Sequence, residues 1–250
     1  SFVTPFYFDW QFWGAVVAML ALILSQLPPV LLWFRPRKLD VEVHSRIQVT
    51  HKVGNPNIGM YVSLSNTGGR VLRIRSFRVQ ISRDGNNLCS LPAQNYFETP
   101  SATASVLFVL FMLRPGEIWG HGTNFLNFFD RSTEKLYRES EATLLGDIRK
   151  KIQDKPKGDE SLVIAEPNLV APFHKLFEEL FIWTPGEYLI ELVVEADPGS
   201  ASFRSKYRFT LFESDSEELR SHAEDYKNGG GISYSVNKHA GVFAPLSREA

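Results

Sequence analysis

Residues Trp10 to Phe34 read WQFWGAVVAMLALILSQLPPVLLWF, a run without one charged side chain. This feature constrains the chain most, because a stretch this apolar needs either a large core or a bilayer to cover it. As a continuous helix, about 25 residues rise roughly 37 Å, more than the ~30 Å hydrocarbon core of a membrane. Trp10, Trp13 and Trp33 lie near its two ends, where amphipathic rings favour the headgroup level. A secretory signal peptide fits poorly, since the residues before the run carry no base and one acid, Asp9. The expectation is a transmembrane helix, with residues 1–38 as a membrane anchor and membrane lipid as its partner.

Arg35, Arg37 and Lys38 follow the run directly. By the positive-inside rule this basic cluster sits at the cytosolic membrane surface, with the N-terminus outside the inner membrane of a prokaryotic cell and the rest of the chain cytoplasmic. Pro28 and Pro29 remove two backbone donors and disfavour helical geometry in the residue before them, so the helix is expected to kink or break near Leu27. Gln26 puts a polar group just before that break. Three arrangements follow: a kinked span, a re-entrant helix, or a helix that bonds a neighbour through Gln26.

The remainder of the chain holds 24 basic and 27 acidic residues, net −3. That balance argues against a nucleic-acid partner. A single cysteine, Cys89, excludes a disulfide framework within the chain and reads as a small buried hydrophobe.

Past the basic cluster, apolar and polar residues alternate. Leu39, Val41, Val43, Ile47 and Val49 share one parity, the pattern of a half-buried strand. Gly54, Asn55 and Pro56 read as a turn. Met60, Val62 and Leu64 alternate again, before an Asn66-Thr67-Gly68-Gly69 turn signal. Leu72 and Ile74 take one parity and Phe77, Val79 and Ile81 the other, which predicts a β-bulge near Arg75-Ser76. Val106 to Leu113 reads VLFVLFML and is expected as a strand buried on both faces. IWGHGTNFLNFF follows as another strand. The last two runs, around Tyr188 to Val194 and Phe203 to Leu211, are expected to pair as a hairpin.

At least seven such strands predict a mainly β fold, an antiparallel β-sandwich over residues 39–228. The segment Pro185 to Val194, PGEYLIELVV, resembles the penultimate strand of immunoglobulin-like bacterial domains, which implies an immunoglobulin-like sandwich with Tyr188 as a core aromatic. Helices interrupt the pattern. One is expected over Ser132 to Gln153 with Leu136, Leu144, Ile148 and Ile152 on its apolar face, and one from near Pro172 with Phe173, Leu176, Phe177 and Leu180. Together they form an insertion over about 131–181. A C-terminal helix is expected behind a Ser214–Glu217 capping box, and residues 229–250 read as a tail.

The chain carries none of the familiar nucleotide, hydrolase or zinc motifs. Its six histidines have no mutual metal-ligand spacing. His121, between Gly120 and Gly122, and Asn124 beside Phe125 are the ligand candidates. The bland alternatives are a strand-edge histidine at a bulge and an ordinary packed cluster. No catalytic, cofactor or metal site is expected. The functional expectation is a non-enzymatic scaffold that recruits a protein partner, or assembles as a homo-oligomer, at the inner membrane. The alternatives are a self-assembling effector that perturbs the membrane, as in prokaryotic defence systems, and an enzyme with an unfamiliar site.

Overall fold

Alternating apolar residues drive most of the chain after Lys38 into antiparallel ladders, each strand turning one parity toward a common core. The computed structural model describes residues 10–26, 35–233 and 241–249. Strand accounts for 40% and helix for 32%, so the fold is mainly β.

Twelve strands form one sheet. β1 (Leu39–Val43) and β2 (Arg46–Lys52) lie end to end along β3 (Asn55–Asn66), separated by a bulge at His44-Ser45. Because the bulge holds an even number of residues, parity survives it, and Leu39, Val41, Ile47 and Val49 all face the core. Pro56, expected in the turn, pairs with His51 inside the ladder; the turn itself is Val53-Gly54. β4 (Leu72–Arg83) slips against β9 (Gly186–Asp197) between Ile74 and Ser76. This is the expected bulge. It lets Leu72 and Ile74 share a core with Phe77, Val79 and Ile81. β9 and β10 (Phe203–Leu211) pair as expected.

The halves of the sheet meet in β5 (Asn86–Phe97). Up to Pro92 it pairs with β4; from Ala93 onward it pairs with β8 (Ile118–Leu126), which in turn pairs with β3. A strand that changes partners carries the sheet around a corner. The product is nearly closed and barrel-like. This corrects the expected two-sheet sandwich, since the two halves are continuous through β5. Cys89 faces Ile81 across the first half of β5, and burial pushes its thiol up to about 11, as suits a packing residue.

Where β5 turns away, β4 needs another neighbour. β6 (Val106–Leu107) pairs with the end of β5, and β7 (Phe111–Leu113) pairs with Leu72 to Ile74 of β4. The apolar run Val106–Leu113 is therefore a strap across the corner, not a strand buried on both faces.

The residues read as a tail also supply strands. β11 (Val242–Pro245) pairs with β2, and β12 (Ser247–Arg248) with β10. Val242 and Ala244 are buried. These strands cover edges the sheet would otherwise leave open.

Register defines two ends. The proximal end holds the start of β1, the β3–β4 turn and the start of β8. The distal end holds the β2–β3 turn, and the helices gather there around Val53. α2 (Arg131–Gln153) is capped by Asp130, which accepts the Ser132 and Thr133 amides at 2.9 Å. The Ser132 hydroxyl, then the Thr133 amide and hydroxyl, hold that carboxyl well below the usual range. The buried stripe of α2 is Tyr137, Leu144 and Ile148, whereas Leu136 and Ile152 are exposed. An aromatic takes the place expected of an aliphatic. α3 (Pro167–Leu180) begins at Pro167, ahead of the expected start, because proline is preorganised for the first helical position. In α4 (Glu213–Ser221) the cap bond runs from the Phe212 amide to the Asp215 carboxylate at 2.8 Å, not through Ser214 and Glu217.

α1 (Trp10–Gln26) ends just before Leu27-Pro28-Pro29. Its 17 residues rise about 26 Å. Among the described residues no helix is long and apolar enough to cross a membrane, so the expected transmembrane helix is not found. Pro28, Pro29 and Trp33 lie outside the described residues. The apolar side chains Val17, Met19, Leu20, Leu22, Ile23 and Leu24 are exposed and spread over more than half of the α1 circumference, the remaining sector carrying Gly14, Ala18, Ala21 and Ser25.

Candidate functional site

The chain enters β1 through Arg35-Pro36-Arg37-Lys38, and all four residues are exposed. This linker crosses the β3–β4 turn so closely that a Cβ on Gly68 would lie 2.5 Å from the Pro36 carbonyl oxygen. The Thr67 amide donates to the Lys38 carbonyl at 3.1 Å. Only glycine permits that approach.

Asn66 fastens the same region from inside. It is buried, and its side-chain amide donates to the Arg70 carbonyl at 2.8 Å and the Leu113 carbonyl at 2.9 Å. Its Oδ1 accepts the Gly68 amide at 3.0 Å. Its backbone N–H donates to the Glu117 carbonyl at 3.1 Å, and its carbonyl accepts the Gly116 amide at 2.9 Å. One residue thus joins the β3–β4 turn, the end of the strap and the turn into β8, and the neighbouring Thr67 ties the turn to the incoming linker. In sequence Asn66 reads only as a turn residue, because its partner Leu113 is far along the chain.

The strap is rigid beneath and apolar above. Phe111 stacks on Trp119 with centroids 5.2 Å apart, and Phe108 lies 5.8 Å from Phe77 and 6.0 Å from Trp119. The other side chains face out: Leu107 is 71% exposed, Val109 69%, Leu110 51% and Met112 63%. A folded protein normally buries such residues or meets another surface with them. Met112 stands opposite Arg73 in the β4–β7 ladder, and Arg70 and Arg114 flank the same corner. Among the described residues these three arginines form no ion pair. The nearby acids are engaged: Glu117 accepts the Arg114 amide at 2.7 Å, and Asp197 pairs with Arg75 at 2.7 Å.

No family model, no curated protein and no solved structure matches this chain.

The other predicted residues fall elsewhere. Trp10 and Trp13 are exposed near the start of α1, and Gln26 is its last residue. His121 faces inward from β8, opposite Val62 of β3 and one residue beyond the last β5 pairing at Gly122. Its ring lies 4.8 Å from those of Tyr96 and Trp119, and Nδ1 is 3.1 Å from the Phe97 carbonyl. The glycines beside it mark no bulge. They thin the outer face, where a Cβ on Gly120 would meet the Tyr61 hydroxyl at 2.9 Å. Asn124 faces outward and donates to Asn95 Oδ1 at 2.6 Å. The two ligand candidates therefore lie on opposite faces of one strand and do not converge.

Sequence reasoning passed over His51. It is buried at the junction of barrel and helices, with Nε2 2.7 Å from the Leu219 carbonyl and Nδ1 accepting the Gly54 amide at 3.0 Å. Nε2 is therefore the protonated nitrogen of a neutral ring. Burial lowers its pKa from 6.5 to about 4, against the opposing pull of the Leu219 carbonyl, with nearby His222 pushing the same way as burial. The Phe177, Phe181 and His222 rings surround it at 5.3, 5.4 and 5.6 Å. This is structural packing chemistry. Among the described residues, no group of three acidic, histidine or cysteine side chains is placed to hold a metal ion.

Proposed function

We propose that this chain is a membrane-attached binding module, which holds a protein partner or further copies of itself at the cytoplasmic face of an inner membrane. The observation that carries the reading is where the chain enters the barrel. An uncharged, largely apolar segment leads in sequence into Arg35, Arg37 and Lys38, which lie against the β3–β4 turn at the proximal end of the barrel, while α2, α3 and α4 gather at the opposite end. The segment continues apolar in sequence from Gln26 through Phe34, which supports insertion over the whole run. The basic linker favours a cytoplasmic body. In this arrangement the barrel is a spacer and α2 and α3 present the recognition surface.

The test is fractionation of cells expressing the full chain, followed by mild detergent extraction and mass measurement of the extracted particle. The chain is expected to stay with membranes through alkaline carbonate washing and to emerge in a particle heavier than one copy. Release by carbonate removes the attachment. A bare monomer in detergent removes the scaffold role.

A further inference from the structure

We infer that the barrel does not hang free of the bilayer but seats its corner strap on it, with Leu107, Val109, Leu110 and Met112 entering an anionic phospholipid surface and Arg70, Arg73 and Arg114 meeting the headgroups. The inference rests on the membrane attachment proposed above and adds a second, lipid-specific contact to it.

Three observations converge. The strap exposes four apolar side chains within six residues while Phe108 and Phe111 lock it to the aromatic core, so the apolar ridge is held out rigidly. The same corner carries three arginines without a carboxylate partner among the described residues, one of them opposite Met112 in the ladder. Asn66 joins the end of the strap at Leu113 to the turn under which the Arg35–Lys38 linker passes. From Leu113 back to Leu110 is three extended residues, about 10 Å. A bilayer entered by the apolar segment before Arg35 therefore lies within reach of the strap. An apolar ridge ringed by basic side chains is the composition of interfacial membrane binding, in which acyl-chain contact and attraction to anionic headgroups act together.

The experiment uses the full chain in a Cys89→Ser background, reconstituted into vesicles of phosphatidylcholine alone or of phosphatidylcholine with one-quarter phosphatidylglycerol. An environment-sensitive fluorophore is attached at Met112→Cys, and in a parallel sample at Glu160→Cys, an exposed position in the segment 154–166 that joins α2 to α3 and packs Val163 and Ala165 into the distal cluster. The expected result is a blue shift and a several-fold gain in emission at position 112 in the anionic vesicles, quenched by spin-labelled lipid, with no change at position 160. Combining Arg70→Gln, Arg73→Gln and Arg114→Gln is expected to raise the anionic lipid fraction needed for the shift severalfold. If the chain floats with vesicles but position 112 stays as wet as position 160, the strap inference fails and the attachment stands. If the chain does not float at all, both fail. A shift that needs no vesicles and grows with protein concentration assigns the ridge to a second copy and overturns the lipid reading.

Discussion

At the distal end Phe173 and Phe177 of α3 and Tyr226 of the 3₁₀ turn after α4 close over Val53, while along the strap that runs down to the proximal end Leu107, Val109, Leu110 and Met112 stand in solvent. Both ends carry aromatic and aliphatic side chains of similar size. At one end the chain supplies its own cover, through an insertion of two helices and a C-terminal helix. At the other it spends its backbone hydrogen bonds on fixing a linker and leaves the apolar ridge bare. The difference teaches that the chain's covering helices are all placed at one end, since the insertion and the C-terminal helix both pack around Val53 and neither reaches the strap.

The comparison is broken most sharply by truncation at the distal end. Phe173→Ala is expected to cost about 3–5 kcal/mol, read as a lowered urea midpoint in mild detergent. A smaller loss would mean that the helical cap is only loosely applied.

Acid attacks the distal end next. The unfolded chain takes up a proton at His51 near 6.5, whereas the folded chain resists until about 4. Stability is therefore full above pH 6.5 and falls as pH drops toward 4, by up to about 3 kcal/mol. His222, lowered mainly by burial, pulls the same way. His51→Gln is expected to flatten the decline. Urea midpoints between pH 7.5 and 4 measure it, and an unchanged slope in the variant would remove His51 from the account.

At the proximal end, Asn66→Ala removes the partner of the Gly68 amide, of the buried Leu113 carbonyl and of the part-buried Arg70 carbonyl. About 2 kcal/mol is expected, by the cost of orphaned buried polar groups. Amide exchange should quicken first at residues 66–70 and 113–117. Uniform quickening would mean that the clamp is no more local than any other core contact.

The smallest effect is the one that separates the ends. Leu110→Ser with Met112→Ser is expected to move stability by less than about 0.5 kcal/mol, although it removes as much apolar surface as a core mutation. A large loss would show that these side chains belong to the core after all.

Much of the barrel was legible because its strands are half-buried and alternate. The parity switch around Arg75-Ser76 even located a bulge. β5 was not legible, for a physical reason. Its sequence, NNLCSLPAQNYF, contains Pro92 and changes partner there, then changes parity at the irregularity between Ala93 and Asn95, so no single alternation runs its length. The strand that turns two half-sheets into a barrel is thus the one whose pattern must break. The strap misled in the opposite direction. Eight apolar residues in a row imply burial on both faces, but a run that crosses a corner can turn Phe108, Phe111 and Leu113 inward and leave the rest outside. The clamp at Asn66 was hidden because one side-chain amide answers to distant backbone. The tail was misread because β11 is too short to show a period; only the open edge of β2 gives it a place.

That edge also sets an order of events. Val49 gains its outer neighbour only when Val242 has been synthesised and has found it, across almost the whole length of the chain. Contacts this distant in sequence close late and slowly. During translation the β2 edge is an unpaired template, and nearly everything else in the barrel can form before it is sealed. Sealing of the β2 edge by β11 is therefore a late step of folding, and until it occurs the barrel keeps one open flank.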